Sequence, residues 1–200
     1  MKKVLFVAAF LLFSMTEINA QDVKFGAKAG VNFASITGDD TDDLDGRTAI
    51  HLGVVAEITI SEKFSFQPEL LYSAQGASEK GSFDEFDYEA EINLDYLNLP
   101  LMAKYYVAEG FSLEAGPQVG FLMSAKAKVS AGGESEEEDI KDSVKGINFG
   151  VNFGVGYKLD SGLNFGARYN LGLSNDNDDS EFPDDTYKNS VIQLSVGYFF

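Results

Sequence analysis

The sequence has no cysteine, a single histidine and few basic residues. Without cysteine the chain has no disulfide framework, no thiol chemistry and no cysteine for lipid attachment. Lysine and arginine number 15 against 32 acidic residues, so the net charge is −17. This charge excludes nucleic acid as a partner, because binding phosphates requires a basic surface. No segment after residue 20 has the roughly 18 consecutive apolar residues of a membrane-spanning helix.

The first twenty residues have the pattern of a secretory signal peptide. Lys2 and Lys3 provide a charged start, residues 4–13 are an apolar run, and residues 18–20 form a cleavage site before Gln21. An uncleaved anchor is the alternative, but this apolar run is too short to cross a membrane as a helix. We therefore predict a cleaved signal peptide over 1–20 and one exported domain over 21–200.

The last eleven residues, 190–200, alternate in polarity and end on an aromatic residue. Successive side chains of a strand point to opposite faces, so one face of this strand is apolar: Ile192, Leu194, Val196, Tyr198 and Phe200. An outer-membrane β-barrel requires such a strand, because its last strand closes the ring and must present an apolar face to lipid. We interpret Tyr198 and Phe200 as an assembly signal that is read by the outer-membrane barrel assembly machinery.

Seven further segments show the same period of two. The predicted strands cover 23–35, 47–60, 64–75, a segment that starts between 90 and 96 and ends at 107, then 111–129, 144–159, 163–173 and 190–200. The connections between them alternate between long and short, and the long ones are 76–89, 130–143, 174–189 and the segment before residue 47. This pattern predicts an all-β fold, an eight-stranded antiparallel up-and-down transmembrane β-barrel with four long loops at one end.

Alternation alone does not show whether the apolar face meets lipid or a soluble core, so a lipocalin-like barrel or a β-sandwich is the alternative. The apolar faces carry no charge, and the opposite faces are rich in glycine, which makes room for side chains in a narrow lumen. Aromatic residues collect beside the short turns: Phe25, Phe64, Tyr105, Phe111, Tyr157, Phe165 and Phe200. They are typical of an interfacial girdle and favour the membrane barrel.

The polar faces place charges in the predicted lumen. The basic ones are Lys24, Lys28, Lys104, Lys126, Lys158 and Arg168, and the acidic ones are Glu57, Glu69 and Glu114. Buried charges must be paired or hydrogen-bonded, so a packed polar plug is the favoured interpretation and a narrow anion path is the alternative. Arg168 is the predicted centre of the network, with Glu69 or Glu114 as partner and with Gly166 and Gly172 leaving space for its guanidinium.

Two patterns raise the question of a chemical site. His51 lies on a polar face and Ser73 lies on the neighbouring strand, so a base and a nucleophile are conceivable. No third orienting group is identifiable, so we expect no enzymatic activity and no cofactor. The long loops are acidic, and weak candidates for binding divalent cations are Asp39, Asp40, Asp42, Asp43, Asp45, Asp176, Asp178 and Asp179. An EF-hand is not formed, because its twelfth position is Leu52, and a solvated acidic crown is the favoured interpretation.

Several segments together resemble the PorT-type outer-membrane β-barrel family. They include FGAKAGVNFASITGD, FQPELLYSAQGA, LNLPLMAKYY, LEAGPQVGFLMSAK, GLNFGARYNLGLSN and VIQLSVGYFF. The resemblance implies a porin-like barrel in the outer membrane of a Gram-negative bacterium, with outer-membrane lipid around it, and it implies no catalytic residue. The function that we expect is a structural or surface-interaction role, and the alternative is a narrow channel for small solutes or ions.

Overall fold

The computed structural model describes residues 23–39, 41, 44–83, 86–178 and 184–200. The predicted signal peptide, 1–20, lies outside these residues and stays a prediction. The strands are β1 (Val23–Gly38), β2 (Asp45–Ser61), β3 (Phe64–Phe83), β4 (Phe86–Tyr106), β5 (Phe111–Ala131), β6 (Glu134–Asp139), β7 (Ile147–Lys158), β8 (Leu163–Gly172) and β9 (Tyr187–Phe199). A 3-10 helix covers Lys141–Ser143. None of the helices in the described part of the chain is long and apolar enough to cross a membrane.

Eight of these strands form a closed ring of antiparallel neighbours. Going round the ring, the order is β1, β2, β3, β4, β5, β7, β8 and β9, and β9 pairs with β1 to close it. The first and last strands are bonded over a long register that runs from Gly26 opposite Phe199 to Gly38 opposite Tyr187. The predicted eight-stranded antiparallel barrel is therefore confirmed, and a β-sandwich is excluded because the ring has no open edge.

Two of the predicted long loops, 76–89 and 130–143, are wrong, because strands extend through both of them. β3 extends as far as Phe83, and β4 begins at Phe86. The strand that is not part of the ring, β6, pairs with the extended end of β5. These extensions carry charged residues on both faces, so they lack the apolar–polar alternation from which strands were predicted. Cross-strand pairs of opposite charge stabilise them, as between Lys80 and Glu89, whose Nζ and Oε1 lie 3.0 Å apart.

The outer surface of the ring is apolar and its interior is polar. All seven residues of the predicted girdle are exposed, as are Ile192, Leu194 and Val196 of the closing strand. Buried polar residues from the opposite faces fill the interior, among them Asn32, His51, Gln67, Asn152 and Gln193. This inside-out distribution is what a lipid-facing barrel requires and excludes a lipocalin-like apolar interior.

The end of the ring that carries the long connections contains a small apolar cluster. Its buried members are Leu94, Tyr96, Leu122 and Ala125, and Ile36, Ile92, Ile140 and Val144 pack against them. A β-bulge produces this arrangement, since Asp95 pairs with Ser124 but Tyr96 pairs with Leu122, which leaves Met123 as the extra residue. An extra residue reverses which face the following side chains occupy, so Ala125 points inward and Lys126 outward.

Candidate functional site in the barrel lumen

The centre of the lumen is a buried ion-pair network around Arg168. The Nη1 and Nη2 atoms of Arg168 donate to Oε2 and Oε1 of Glu69 at 2.9 and 2.8 Å, which makes a two-pronged contact. Nη2 also donates to Oε2 of Glu114 at 3.1 Å. Arg168 is 4% exposed, so these bonds form out of contact with bulk water, where a planar guanidinium suits two carboxylates. The structure thus places Arg168 between the two partners considered for it.

A glycine on the intervening strand allows Arg168 to reach Glu114. Gly154 on β7 lies opposite Arg168 on β8 and opposite Glu114 on β5, so the three positions form one row across the sheet. A Cβ at Gly154 would lie 3.2 Å from both Cα and Cβ of Arg168. A Cβ at Gly166 would meet only the carbonyl of Val155, and one at Gly172 would first meet Asn189, so of these three glycines it is Gly154 that lies against Arg168.

Lys104 and Lys28 complete the network. Lys104 Nζ lies 3.5 Å from Oε2 of Glu57 and 3.3 Å from Oε1 of Glu114, and it donates to Oε1 of Gln67 at 3.1 Å. Lys28 Nζ lies 3.4 Å from Oε2 of Glu69. Each of the three lumenal carboxylates therefore has a cation within ion-pair distance, so the group forms one connected polar core across the barrel.

The short-turn end of the lumen opens into a cavity of about 580 Å³. Lys158 Nζ and the hydroxyl of Tyr106 both donate to Oε1 of Glu57, at 2.7 and 2.6 Å. Lys24 lies opposite Glu57 in the β1–β2 register, lines this cavity and is exposed. Lys24 is therefore at the mouth of the lumen, while Glu57 lies at the inner end of this cavity.

The assignment of Lys126 to the lumen is wrong. Its side chain is 45% exposed, and Nζ lies 2.5 Å from Oε1 of Glu137 on β6. The physical reason is the bulge at Met123, which turns every later side chain of β5 to the opposite face. Lys126 instead stabilises the hairpin that β5 and β6 form beyond the ring.

A second polar cluster surrounds His51 and Asn32. Nδ1 of His51 lies 2.8 Å from Oδ1 of Asn32, which can only accept, so Nδ1 carries the proton and Nε2 accepts from the hydroxyl of Ser195 at 2.9 Å. Gln193 Nε2 also donates to Asn32 Oδ1 at 3.0 Å, and Asn32 Nδ2 donates to the carbonyl of Ala74 at 2.7 Å. Asn32 is thus the hub of bonds that join several strands.

Sequence reasoning paired His51 with Ser73 and missed Ser195 and Asn32. Although Ser73 is the register partner of His51, its hydroxyl accepts from Asn32 at 2.9 Å. Gly30 lies opposite both His51 and Ser195, so the imidazole reaches across a strand that has no side chain there. The order Ser195–His51–Asn32 resembles that of a nucleophile, a base and an orienting group. None of the three lines either of the cavities described at the two ends of the barrel.

The described acidic residues of the loops do not form a cluster that could hold an ion. Within the described part of the chain, no group of three or more His, Asp or Glu side chains is placed to hold a metal ion. Asp39 instead accepts from the backbone amide of Thr186 at 2.8 Å, Asp45 and Asp178 are exposed, and Asp176 is buried. The other candidates, Asp40, Asp42, Asp43 and Asp179, lie outside the described residues.

The two aromatic residues of the predicted assembly signal lie on the outer surface at the short-turn end. Tyr198 is half-exposed and Phe200 is 80% exposed, and their rings meet edge to face with centroids 5.8 Å apart. The amide of Phe200 donates to the carbonyl of Phe25 at 2.8 Å, so the last residue still closes against the first strand. The Phe200 side chain is therefore mainly on the outer surface, and Phe200 also borders the cavity at the mouth of the lumen.

A closed ring with an apolar outside and a polar inside agrees with the comparison to known protein families. The sequence model of the family described as "Outer membrane protein beta-barrel domain" matches residues 19–176. The chain belongs to this family. Members of the family are barrels of the outer membrane, so the protein is located in the outer membrane of a Gram-negative bacterium.

Two solved structures of bacterial proteins have a similar fold. The attachment invasion locus protein Ail of Yersinia pestis is 16% identical with a TM-score of 0.52, and the comparison covers 90% of this chain and 99% of Ail. Neisserial surface protein A is 13% identical with a TM-score of 0.51, covering 90% and 99% of the two chains. No curated protein matches the sequence. At these identities the likeness concerns the fold alone.

Proposed function

We propose that the protein is a non-enzymatic, non-conducting outer-membrane barrel of the PorT type with a structural or surface-interaction role. The closed lumen holds the ring rigid, and the long connections present an acidic surface outside the cell, because outer-membrane barrels have their short turns in the periplasm. The partners of this role are outer-membrane lipid around the ring and the barrel assembly machinery during biogenesis. Divalent cations remain a proposed partner of the acidic loops.

The buried ion-pair network carries this proposal. Lys28, Lys104 and Arg168 face Glu57, Glu69 and Glu114 across the bore, all of them buried or nearly so, and Lys158 pairs with Glu57 towards the mouth. A selective ion path is lined by a ring of charges of one sign, whereas here the cations and the carboxylates are paired with one another. An eight-stranded ring is also just wide enough for its interior side chains to fill it. Both features support a plug rather than a pore.

We predict that the purified protein shows no stepwise ion current in planar lipid bilayers. The double variant Glu69→Ala/Arg168→Ala removes a complementary pair, so it keeps the charge balance but empties the centre of the lumen, and it is expected to conduct. Glu137→Ala, which removes an exposed carboxylate on β6, is the matched control and stays silent. Stepwise, anion-selective currents through the unaltered protein would instead establish the narrow channel.

We predict that deleting Phe200 lowers the amount of protein in the outer membrane several-fold. The deletion removes the exposed terminal aromatic while leaving the ion-pair network around Arg168 in place. The measurement is the level of folded barrel in isolated outer membranes. Phe165→Leu is the control, because it removes an exposed aromatic of the same girdle away from the C-terminus. Equal levels for the truncated and the intact protein would show that Phe200 is not part of an assembly signal.

A further inference from the structure

The loop end of the barrel contains an apolar cavity of about 400 Å³. Its walls are mainly aliphatic and come from β1, the connection before β2, β4 and the segment around the 3-10 helix: Ile36, Leu44, Ile92, Leu94, Ile140 and Val144. The volume lies within the range of small-molecule sites, which are concave, mostly apolar and oriented by a few polar groups. The shape and lining therefore suit a small ligand with an apolar body.

Two buried hydrogen-bond acceptors line the same cavity. Asp176 is 7% exposed, and in the described part of the chain it accepts from the Ser174 hydroxyl at 3.0 Å but has no ion-pair partner. Asn189 is also buried, and no described group donates to its Oδ1. A buried carboxylate without a cation and a buried amide oxygen without a donor both cost free energy, so the cavity wall offers two acceptors to a ligand that donates hydrogen bonds.

The charge around Asp176 favours a cation as the missing donor. Burial raises the pKa of Asp176 to about 6, while Ser174, Asn148 and Lys145 act in the opposite direction. The carboxyl is therefore mostly ionised at neutral pH without a buried counter-ion. The basic residue of the cavity lining, Lys188, is exposed at the rim. The net charge of −17 disfavours an anionic ligand such as a fatty acid.

We propose that this cavity binds a small apolar molecule that carries a primary ammonium group, with the ammonium between Asp176 and Asn189 and the apolar body against the aliphatic wall. An ammonium has three donors and no acceptor, which matches two acceptors on the protein side. The cavity lies at the loop end of the barrel, and the ion-pair network lies at its centre. This proposal therefore goes beyond the proposed function and does not depend on whether the lumen conducts.

The test compares three probes of equal length: hexylamine, hexan-1-ol and hexanoate. The sequence has no tryptophan, so Tyr187→Trp, a change in the cavity lining, introduces a single fluorescent reporter into the barrel in phosphatidylcholine vesicles. Hexylamine is expected to bind at least tenfold more tightly than hexan-1-ol at pH 7.5, as one charge-assisted hydrogen bond predicts. Hexanoate is expected to bind most weakly. Equal affinities for the three probes, or no binding of hexylamine, would overturn the proposal.

Variants on this reporter background separate the site from the acidic surface. Asp176→Asn is expected to remove the preference for hexylamine over hexan-1-ol. Ile140→Phe is expected to weaken the binding of both probes, because the larger side chain fills the cavity. Asp178→Asn removes an exposed carboxylate two residues away and is expected to change nothing. The proposal would be wrong if Asp178→Asn lowered the affinity for hexylamine as much as Asp176→Asn did, or if Ile140→Phe left that affinity unchanged. Either result would mean that hexylamine binds to the acidic surface.

Discussion

Replacing Arg168 with methionine is expected to lower the free energy of unfolding of the barrel by about 3–5 kcal/mol. Methionine keeps much of the length of the side chain but removes three charge-assisted hydrogen bonds to Glu69 and Glu114. Glu69 then keeps one ion pair, with Lys28, and Glu114 keeps one, with Lys104, so both buried carboxylates lose hydrogen bonds that no water replaces. The loss therefore comes mainly from the carboxylates that stay behind rather than from the arginine itself.

The measurement is the urea dependence of unfolding in lipid vesicles, followed by circular dichroism. Lys126→Met is the matched control, because it removes an exposed cation whose ion pair lies on the hairpin beyond the ring. The loss in free energy of unfolding for Lys28→Met is expected to lie between those of the other two variants, since Lys28 has one lumenal ion pair and Arg168 has two. Small and equal losses for Arg168→Met and Lys126→Met would show that the lumen is hydrated and that Arg168 is one solvated charge among several.

The ring could be predicted from the sequence because its two requirements leave a repeated pattern. Each strand must present apolar residues to lipid, and the strand from Val23 to Gly38 shows this alternation clearly. Along the chain, the connections between successive strands must alternate between long and short. The same alternation assigns Arg168, Glu69 and Glu114 to the inside, and arginine has the reach to join carboxylates across a narrow ring. Both the fold and the centre of the network follow from local patterns.

Features that depend on pairing between strands could not be predicted in this way. The bulge at Met123 has no residue pattern of its own, and without it the alternation assigns Lys126 to the wrong face. The extended hairpin of β5 and β6 is equally hidden, because strands outside the membrane accept charges on both faces. Whether such a charged segment is loop or strand depends on its partner, which the sequence of the segment alone does not specify.

Glycine rows explain how two lumenal side chains reach partners that lie two strands away. Gly30 separates His51 from Ser195, and Gly154 separates Arg168 from Glu114. In each row the middle strand has no side chain, so a long side chain on one neighbour lies over it and bonds to the other neighbour. The glycine-rich faces indicate that the lumen has space, but assigning each glycine to a pair of side chains requires the register of three adjacent strands.

Asn32→Leu is expected to destabilise the barrel by about 3 kcal/mol or more. Leucine has a similar volume but has no polar atoms, so it leaves the His51 Nδ1–H and the Gln193 amide without their acceptor and the Ala74 carbonyl without a donor. Each buried polar group that loses its partner costs about 1–3 kcal/mol. Because these bonds connect β1 with β2, β3 and β9, the loss weakens the closure between the first and last strands.

Asn98→Leu provides the matched control for Asn32→Leu. Both asparagines are fully enclosed in the lumen, but the Oδ1 of Asn98 has no hydrogen-bond partner among the described residues. Removing an unsatisfied polar group is nearly neutral or stabilising, so the urea midpoint of Asn98→Leu is expected to stay at or above that of the unaltered protein. If the two variants lost the same stability, the cost would arise from placing leucine in a polar lumen, and the bonds of Asn32 would have no special part in closing the ring.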